Sequence, residues 1–253
     1  MIHIFTFATD ETRLRWLKLT SALSDSNITY ILKSRWNGYV DKILGVKEAI
    51  EKLDDNDIVC FIDAYDVLSL SSNNEIEKKF KDYDCDLLIS SELNCYPEKY
   101  KILYDTSNDK TKFSYVNSGG YIGYVKAIKE LMNWKSLNEI IDICNDGGDQ
   151  SYFTEYYLNN KNVKLDIYQK IFQSMHKVSW KEIEFVNKRI RNTVLNELPC
   201  FIHFNGGSFQ TIERKDISEI VVERLLKSKN IPLNLDDYNQ IITSTCFPES
   251  QVA

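Results

Sequence analysis

The chain is poor in several residue types that mark common functional classes. Its 253 residues include three histidines, four prolines and nine glycines. No apolar run reaches the roughly 20 residues that a membrane-spanning helix needs. Met1 to Ala8 is apolar but short and lacks a basic lead-in, so it is expected to be a first strand, not a signal or anchor. Positive charge is not in excess: the net charge is −6 and the two signs are interspersed. Nucleic acid and anionic membrane surfaces are therefore not expected as partners. The one basic group, Lys181, Lys188, Arg189 and Arg191, reads as a solvated helix face. Six cysteines (Cys60, Cys85, Cys95, Cys144, Cys200 and Cys246) form no CxxC pair. Reduced thiols and a cytoplasmic location are the expectation from that pattern. No repeat or low-complexity linker divides the chain. A single domain over residues 1–230 is expected, with residues 231–253 as a tail packing on or extending it.

What is present begins with regular alternation of element types. Ile2 to Ala8 reads as a strand, Thr9 or Asp10 caps a helix running to about Leu23, and Ile28 to Leu32 is a second strand. Ser34 to Tyr39 forms a loop with Trp36, Asp41 to Leu53 a helix, and Ile58 to Ile62 a strand with no polar face. The first 70 residues thus read βαβαβ, the pattern of a Rossmann-like, parallel, doubly wound α/β sheet flanked by helices. A helix over Asn74 to Lys81 and a strand over Leu87 to Ser90 extend it. Asn117 to Gly120 is expected to be a glycine turn between short strands, followed by helices from Val125 to Asn145 and Gln150 to Leu158. Strands are expected at Val163 to Asp166 and Phe201 to Phe204, and a late helix carries Ile217, Ile220, Val221 and Leu225 on one face. That helix and the tail suit a homodimer contact as readily as a core.

Four constellations carry chemistry. Asp63 and Asp66 follow the apolar strand Ile58 to Ile62, at the sheet edge where α/β folds bind ligands. Two acids crowded there repel, and a divalent cation bridging to phosphate oxygens relieves that; a turn favoured by aspartate is the structural alternative. Asn117-Ser118-Gly119-Gly120 offers amide and hydroxyl donors beside backbone that a ligand can approach, or a plain hairpin. Asp149-Gln150 opens a helix, so Asp149 is a sugar-binding acid or an N-cap. His203, in Phe201-Ile202-His203-Phe204-Asn205-Gly206, ends a strand as Asp63 does.

The order of these pieces resembles the N-terminal glycosyltransferase domain of the procollagen-lysine hydroxylases. The matching pieces are Phe5-Thr6-Phe7-Ala8-Thr9, the Trp36 loop, Lys42, Phe61 to Val67, Tyr96-Pro97 and Asn117 to Gly123. Asp149-Gln150 with Phe153-Thr154, Leu165-Asp166, Lys170 to Gln173, and His203 with Asn205-Gly206 complete them, collinear over residues 2 to 207. The resemblance implies a nucleotide-sugar fold of the GT-A type, with Mn2+ held by Asp63, Asp66 and His203 and a UDP-hexose as donor. It implies that Thr6, Ala8, Thr9, Trp36 and Tyr65 surround the uridine, with Lys42 near phosphate. Tyr96, where the family has tryptophan, comes near the donor sugar. Ser118, Gly119, Gly120, Asn205 and Gly206 complete the implied donor site.

The chemistry that the resemblance implies is glycosyl transfer. As the bond to UDP breaks, negative charge grows on the β-phosphate, and a cation there stabilises it. Asp149 is the first candidate to orient the sugar or take the acceptor's proton, with Asn117 and Gln150 as hydrogen-bonding partners. The acceptor is a hydroxyl on a protein or glycan, collagen-like hydroxylysine being what the resemblance implies. Where the family has an unbroken aspartate run before Gln150, this chain has Asp146-Gly147-Gly148-Asp149. That interruption favours a second reading, a weak or inactive nucleotide-sugar binder. A phosphohydrolase with Asp63 as nucleophile is a third, although the position two residues on, usually acidic, is Tyr65. The hydroxylase chemistry of the full-length family is not expected, because an iron triad needs two histidines, and of His3, His176 and His203 the first lies within an apolar strand and the last is assigned to the cation site.

Overall fold

In a computed structural model, the residues described are 1–104, 111–186, 189–206, 222–223 and 226–227. The elements in chain order are β1 (Ile2–Ala8), α1 (Arg15–Ser24), β2 (Ile28–Leu32), α2 (Val40–Ile50), β3 (Ile58–Ile62), β4 (Val67–Ser69) and α3 (Asn73–Lys81). They continue with β5 (Leu87–Glu92), β6 (Tyr115–Tyr124), α4 (Val125–Met132), α5 (Leu137–Asn145) and α6 (Gly148–Asn159). β7 (Val163–Leu165), β8 (Phe172–Ser174), β9 (Ile183–Val186), β10 (Arg189–Asn192) and β11 (Phe201–His203) follow.

The main sheet has the order β2-β1-β3-β6-β5-β7. β1 pairs in parallel with β2 and β3, and β5 with β7, whereas β6 runs antiparallel to both neighbours. The all-apolar β3 explains itself by alternation: Val59 and Phe61 enter one core, Ile58, Cys60 and Ile62 the other. Each face of the sheet is thus covered, as a strand without a polar face requires. The first core lies under α2, α4, α5 and α6, and the second holds Ile76 and Phe80 of α3 with Phe172 of β8 and Phe201 of β11, which pair with β4 in a separate three-stranded sheet of order β4-β11-β8. Local signals agree with these elements. Asp10 accepts from Thr12 N and caps the short 3-10 turn ahead of α1, and Ser136 with Glu139 forms a capping box on α5.

Several expectations change. Asn117 to Gly120 is not a turn but the middle of the continuous ten-residue strand β6. Its pairing with β5 jumps from Ile89↔Tyr121 to Ser90↔Asn117, so the glycine signal marks a bulge. Burial on both sides explains why the strand wins: a Cβ at Gly120 would come within 2.7 Å of the Phe172 ring. Asp149 is not the N-cap of α6; Gly147 is, at φ +111. Of the basic group, Arg189 and Arg191 are not on a helix face either but on β10 of a two-stranded ribbon. Arg189 is held by Glu75 at 2.8 and 3.1 Å and by Ser71 at 2.7 Å. Lys188, the helix face of Ile217, Ile220, Val221 and Leu225, and the tail 231–253 lie outside the described residues. The five described cysteines are free thiols. No helix among the described residues is long and apolar enough to cross a membrane.

Candidate active site

Topology brings distant segments to one edge. β3 ends at Ile62 with Asp63 next, and because β6 is antiparallel, its early residues lie at that same end; Asp63 N donates to Gly119 O at 2.9 Å. The chain then turns through Asp66 into β4, and β11 pairs with β4 in the register His203↔Val67. Phe204 N donates to Asp66 O at 2.8 Å, which locks His203 beside Asp66. α6 supplies Asp149 and Gln150 from its first turn, and α2 supplies Lys42.

Side chains of these segments form one charged cluster. His203 Nε2 lies 3.2 Å from Asp66 Oδ2 and 3.7 Å from Asp63 Oδ2. Ligand atoms from these three residues all lie within 4.8 Å of one another. Lys42 Nζ bridges Asp63 Oδ1 at 2.6 Å and Asp149 Oδ2 at 2.8 Å. Burial alone would lower the Lys42 pKa, but the carboxylates of Asp149 and Asp63 outweigh it and raise it. Burial likewise disfavours charged His203, yet Asp66 and Asp63 lift its pKa above the ordinary value. Asp63 is held below the usual carboxylate range, because Lys42 and His203 overcome the effect of burial.

Behind the cluster stands Glu92, 5% exposed and absent from the sequence-based set. Its Oε1 accepts from Asn117 Nδ2 at 3.1 Å and Gln150 Nε2 at 2.8 Å, and its Oε2 from Asn205 Nδ2 at 2.9 Å. Burial pushes its pKa up against these donors. Glu92 thereby fixes the Asn117 amide so that Oδ1 faces His203 Nδ1 at 3.1 Å. Nδ1 therefore keeps its proton, and the proton that Nε2 shares with Asp66 at 3.2 Å is the one that a cation held with Asp63 and Asp66 would displace. Two carboxylates and such an imidazole are a donor set that fits a divalent cation.

Asp63, Asp66, His203, Lys42, Tyr96, Asn117, Ser118, Gly119, Asp149, Gln150, Asn205 and Gly206 line one cavity of about 410 Å³. The remaining expected residues stand outside its lining. Gly120 packs on Phe172, and Thr6 is fully buried. Ala8 packs with Leu14 and Ala64, and Trp36 sits edge-on to Phe7 and Tyr39. The Tyr65 hydroxyl accepts from the backbone N–H of Thr9 and of Asp10, both at 2.8 Å. Gly119 has a steric reason to lack a side chain: a Cβ would overlap the His203 ring and come within 2.8 Å of Asp63 Oδ2. Gly119→Ala is accordingly expected to displace His203 and weaken binding of a divalent cation, with Mn2+ as the calorimetric probe, at least about tenfold, a loss of roughly 1.4 kcal/mol. Unchanged binding would show that His203 is not a ligand.

Comparison with known proteins gives a consistent picture. The family described as "PLOD GT domain" matches residues 25–216. Procollagen-lysine,2-oxoglutarate 5-dioxygenase 1 of Gallus gallus is 30% identical over 225 residues, 80% of this chain and 30% of that protein. The multifunctional procollagen lysine hydroxylase and glycosyltransferase LH3 of Homo sapiens is 29% identical over 224 residues, 80% of this chain and 29% of that protein. The chain thus spans about 30% of the length of the curated relatives it matches. Among solved structures, the galactosyltransferase LgtC in complex with donor and acceptor sugar analogs superposes with a TM-score of 0.55 at 12% identity. The match covers 95% of this chain and 100% of that one. That likeness shows the fold, which is the GT-A α/β arrangement expected from the sequence.

Proposed function

The chain belongs to the PLOD GT domain family, and from that membership we propose that it is a cation-dependent glycosyltransferase that moves a hexose from a UDP-sugar to a hydroxyl acceptor. The observation that carries this reading is the meeting of Asp63, Asp66 and His203 with Lys42 and Asp149 in one cavity. Asp63, Asp66 and His203 would hold the cation, Mn2+ in this reading. When bound, it would offset the charge that develops on the departing diphosphate.

The other roles belong to side chains of the chain itself. Lys42, an ammonium kept charged by two carboxylates, is placed to neutralise phosphate oxygens once Asp63 turns to a cation. Asp149 lies on the same ammonium and borders the cavity, so it orients the hexose or receives the acceptor's proton. Gln150 is fixed through Glu92, with Ser118 N donating to its Oε1 at 3.2 Å, and Asn117 is fixed likewise. Both amides therefore present set hydrogen-bonding faces, which reduces the ordering cost of binding. The acceptor is a hydroxyl on a protein or glycan, and a collagen-like hydroxylysine is the first to try.

The phosphohydrolase alternative is poorly served. Asp63 is engaged by Lys42, and Tyr65, where the second acid would stand, directs its hydroxyl to Thr9 and Asp10. The inactive-binder alternative rests on Gly147-Gly148 alone. A panel of UDP-sugars with Mn2+, scored for UDP release before and after acceptors are added, distinguishes these readings. UDP release with at least one UDP-hexose is expected. Binding of UDP without release from any sugar would favour the inactive binder, and phosphate release from a phosphoester the phosphohydrolase.

A further inference from the structure

Gly148 is the second glycine of the interruption, in the first turn of α6 at φ +72. A Cβ built there would lie 3.4 Å from each of Tyr39 Cδ1, Cδ2 and Cε2. Equal approach to three ring carbons means that the Tyr39 ring lies face-on over the Gly148 backbone. A second aromatic braces it, since Trp36 meets the Tyr39 ring edge-on with centroids 5.4 Å apart. Gly147, at φ +111, is the companion device. A Cβ on it would overlap the side chains of Pro97 and Ser151, so the backbone can close against Pro97 only without one. The two glycines thus admit aromatic and proline surface where side chains of the helix would otherwise project.

Tyr39 also stands at a defined point relative to the charged cluster. It caps α2, and Lys42 N donates to Tyr39 O at 3.3 Å. Lys42 and Asp149, which flank the ring along the chain on either side of this contact, are joined to each other at 2.8 Å. The ring lines the same cavity as Asp63, Asp66 and His203, and Tyr39 remains 50% exposed. A half-exposed aromatic surface bordering a cavity rich in carboxylates and amides, in which Tyr96 is the other aromatic, has a specific use. A pyranose carries hydroxyls around its rim and an apolar C–H face, and needs both kinds of surface.

We propose that Tyr39, seated on Gly148, is the specificity-determining wall of the hexose subsite and packs against the C–H face of the donor sugar. The inference rests on the glycosyltransferase reading above and names a residue and a contact beyond it. On this view the glycine interruption does not empty the subsite. It exchanges side-chain polarity for an aromatic face, leaving Asp149 and Gln150 for the hydroxyl rim.

Calorimetric titration with Mn2+ of wild type, Tyr39→Ala and Tyr39→Phe tests this, using UDP, UDP-glucose and UDP-galactose as probes. Tyr39→Ala is expected to weaken the preferred UDP-hexose by about tenfold while UDP alone changes less than about twofold. Tyr39→Phe, which keeps the ring, is expected to keep the preference for UDP-hexose over UDP. Equal weakening of UDP and UDP-hexose by Tyr39→Ala would overturn the proposal, because the ring would then serve the nucleotide. No weakening of either would overturn it too. If the wild type binds neither UDP nor a UDP-hexose, the glycosyltransferase reading itself falls, a result distinct from both.

Discussion

Asp63→Ala and Asp66→Ala are each expected to reduce Mn2+-dependent UDP release by about 10³-fold, the scale on which loss of one group stabilising transition-state charge is felt. Removing either acid leaves two of the three side chains that meet at the cation position. It also leaves His203 beside a single carboxylate. Neither substitution should unfold the protein. Both side chains are about a quarter exposed, and the backbone bonds at these positions do not use the carboxylates: Asp63 N still reaches Gly119 O and Asp66 O still accepts from Phe204 N. The two variants differ in one respect. Asp63 also neutralises Lys42, which would retain only Asp149, whereas Asp66 has no contact with that ammonium. Asp63→Ala should therefore weaken nucleotide binding differently from Asp66→Ala, because Lys42 is released toward Asp149. The measurements are initial rates of UDP release, Mn2+ titration and a melting curve for each variant. Wild-type turnover in both would sink the assignment of the cation site and, with it, the cation-dependent transfer.

How much of this was legible in the sequence differs by element. β1, β2 and β3 fall where the apolar runs put them, because each run is long enough to have a face, and β3 none. β4 and β8 are three residues long, too short for any periodicity to register. Both exist through their pairing with β11. The adjacent glycines of β6 carry a turn signal that tertiary burial overrides, since Gly119 must clear His203 and Gly120 must clear Phe172. The acids Asp63 and Asp66 were legible as an edge pair because a fully apolar strand precedes them. Glu92 was not, since it closes a strand whose every residue is buried and its partners come from β6, α6 and the segment after β11. Tyr39 was visible only as a loop residue, its contact with Gly148 having no counterpart in local pattern.

Glu92→Gln should show how far the site depends on that hidden carboxylate. A carboxylate offers acceptors on both oxygens, and Glu92 uses both, with amide donors from Asn117 and Gln150 on one and Asn205 on the other. Glutamine keeps the shape but replaces one oxygen with a donor. Whichever way it turns, an N–H₂ faces another N–H₂. Turning toward Asn205 is the lesser clash, yet Asn205 cannot flip freely, because its Oδ1 accepts from the backbone N–H of Met175 and of His176 at 3.1 and 3.0 Å. One buried donor is left without an acceptor, at a cost of about 1–3 kcal/mol. For a chain of this size that corresponds to a fall in melting temperature of roughly 2–4 °C per kcal/mol. The functional loss should be larger than the stability loss. If Asn117 turns, its Oδ1 leaves His203 Nδ1, the histidine loses the acceptor that holds a proton on Nδ1 and so reserves Nε2 for a cation, and Mn2+ affinity falls by about tenfold or more. Melting curves and Mn2+ titration of Glu92→Gln beside wild type measure the two effects separately. A variant with wild-type cation affinity and a lowered melting point would confine Glu92 to a structural part. One unchanged in both would mean that the three amides do not depend on its charge.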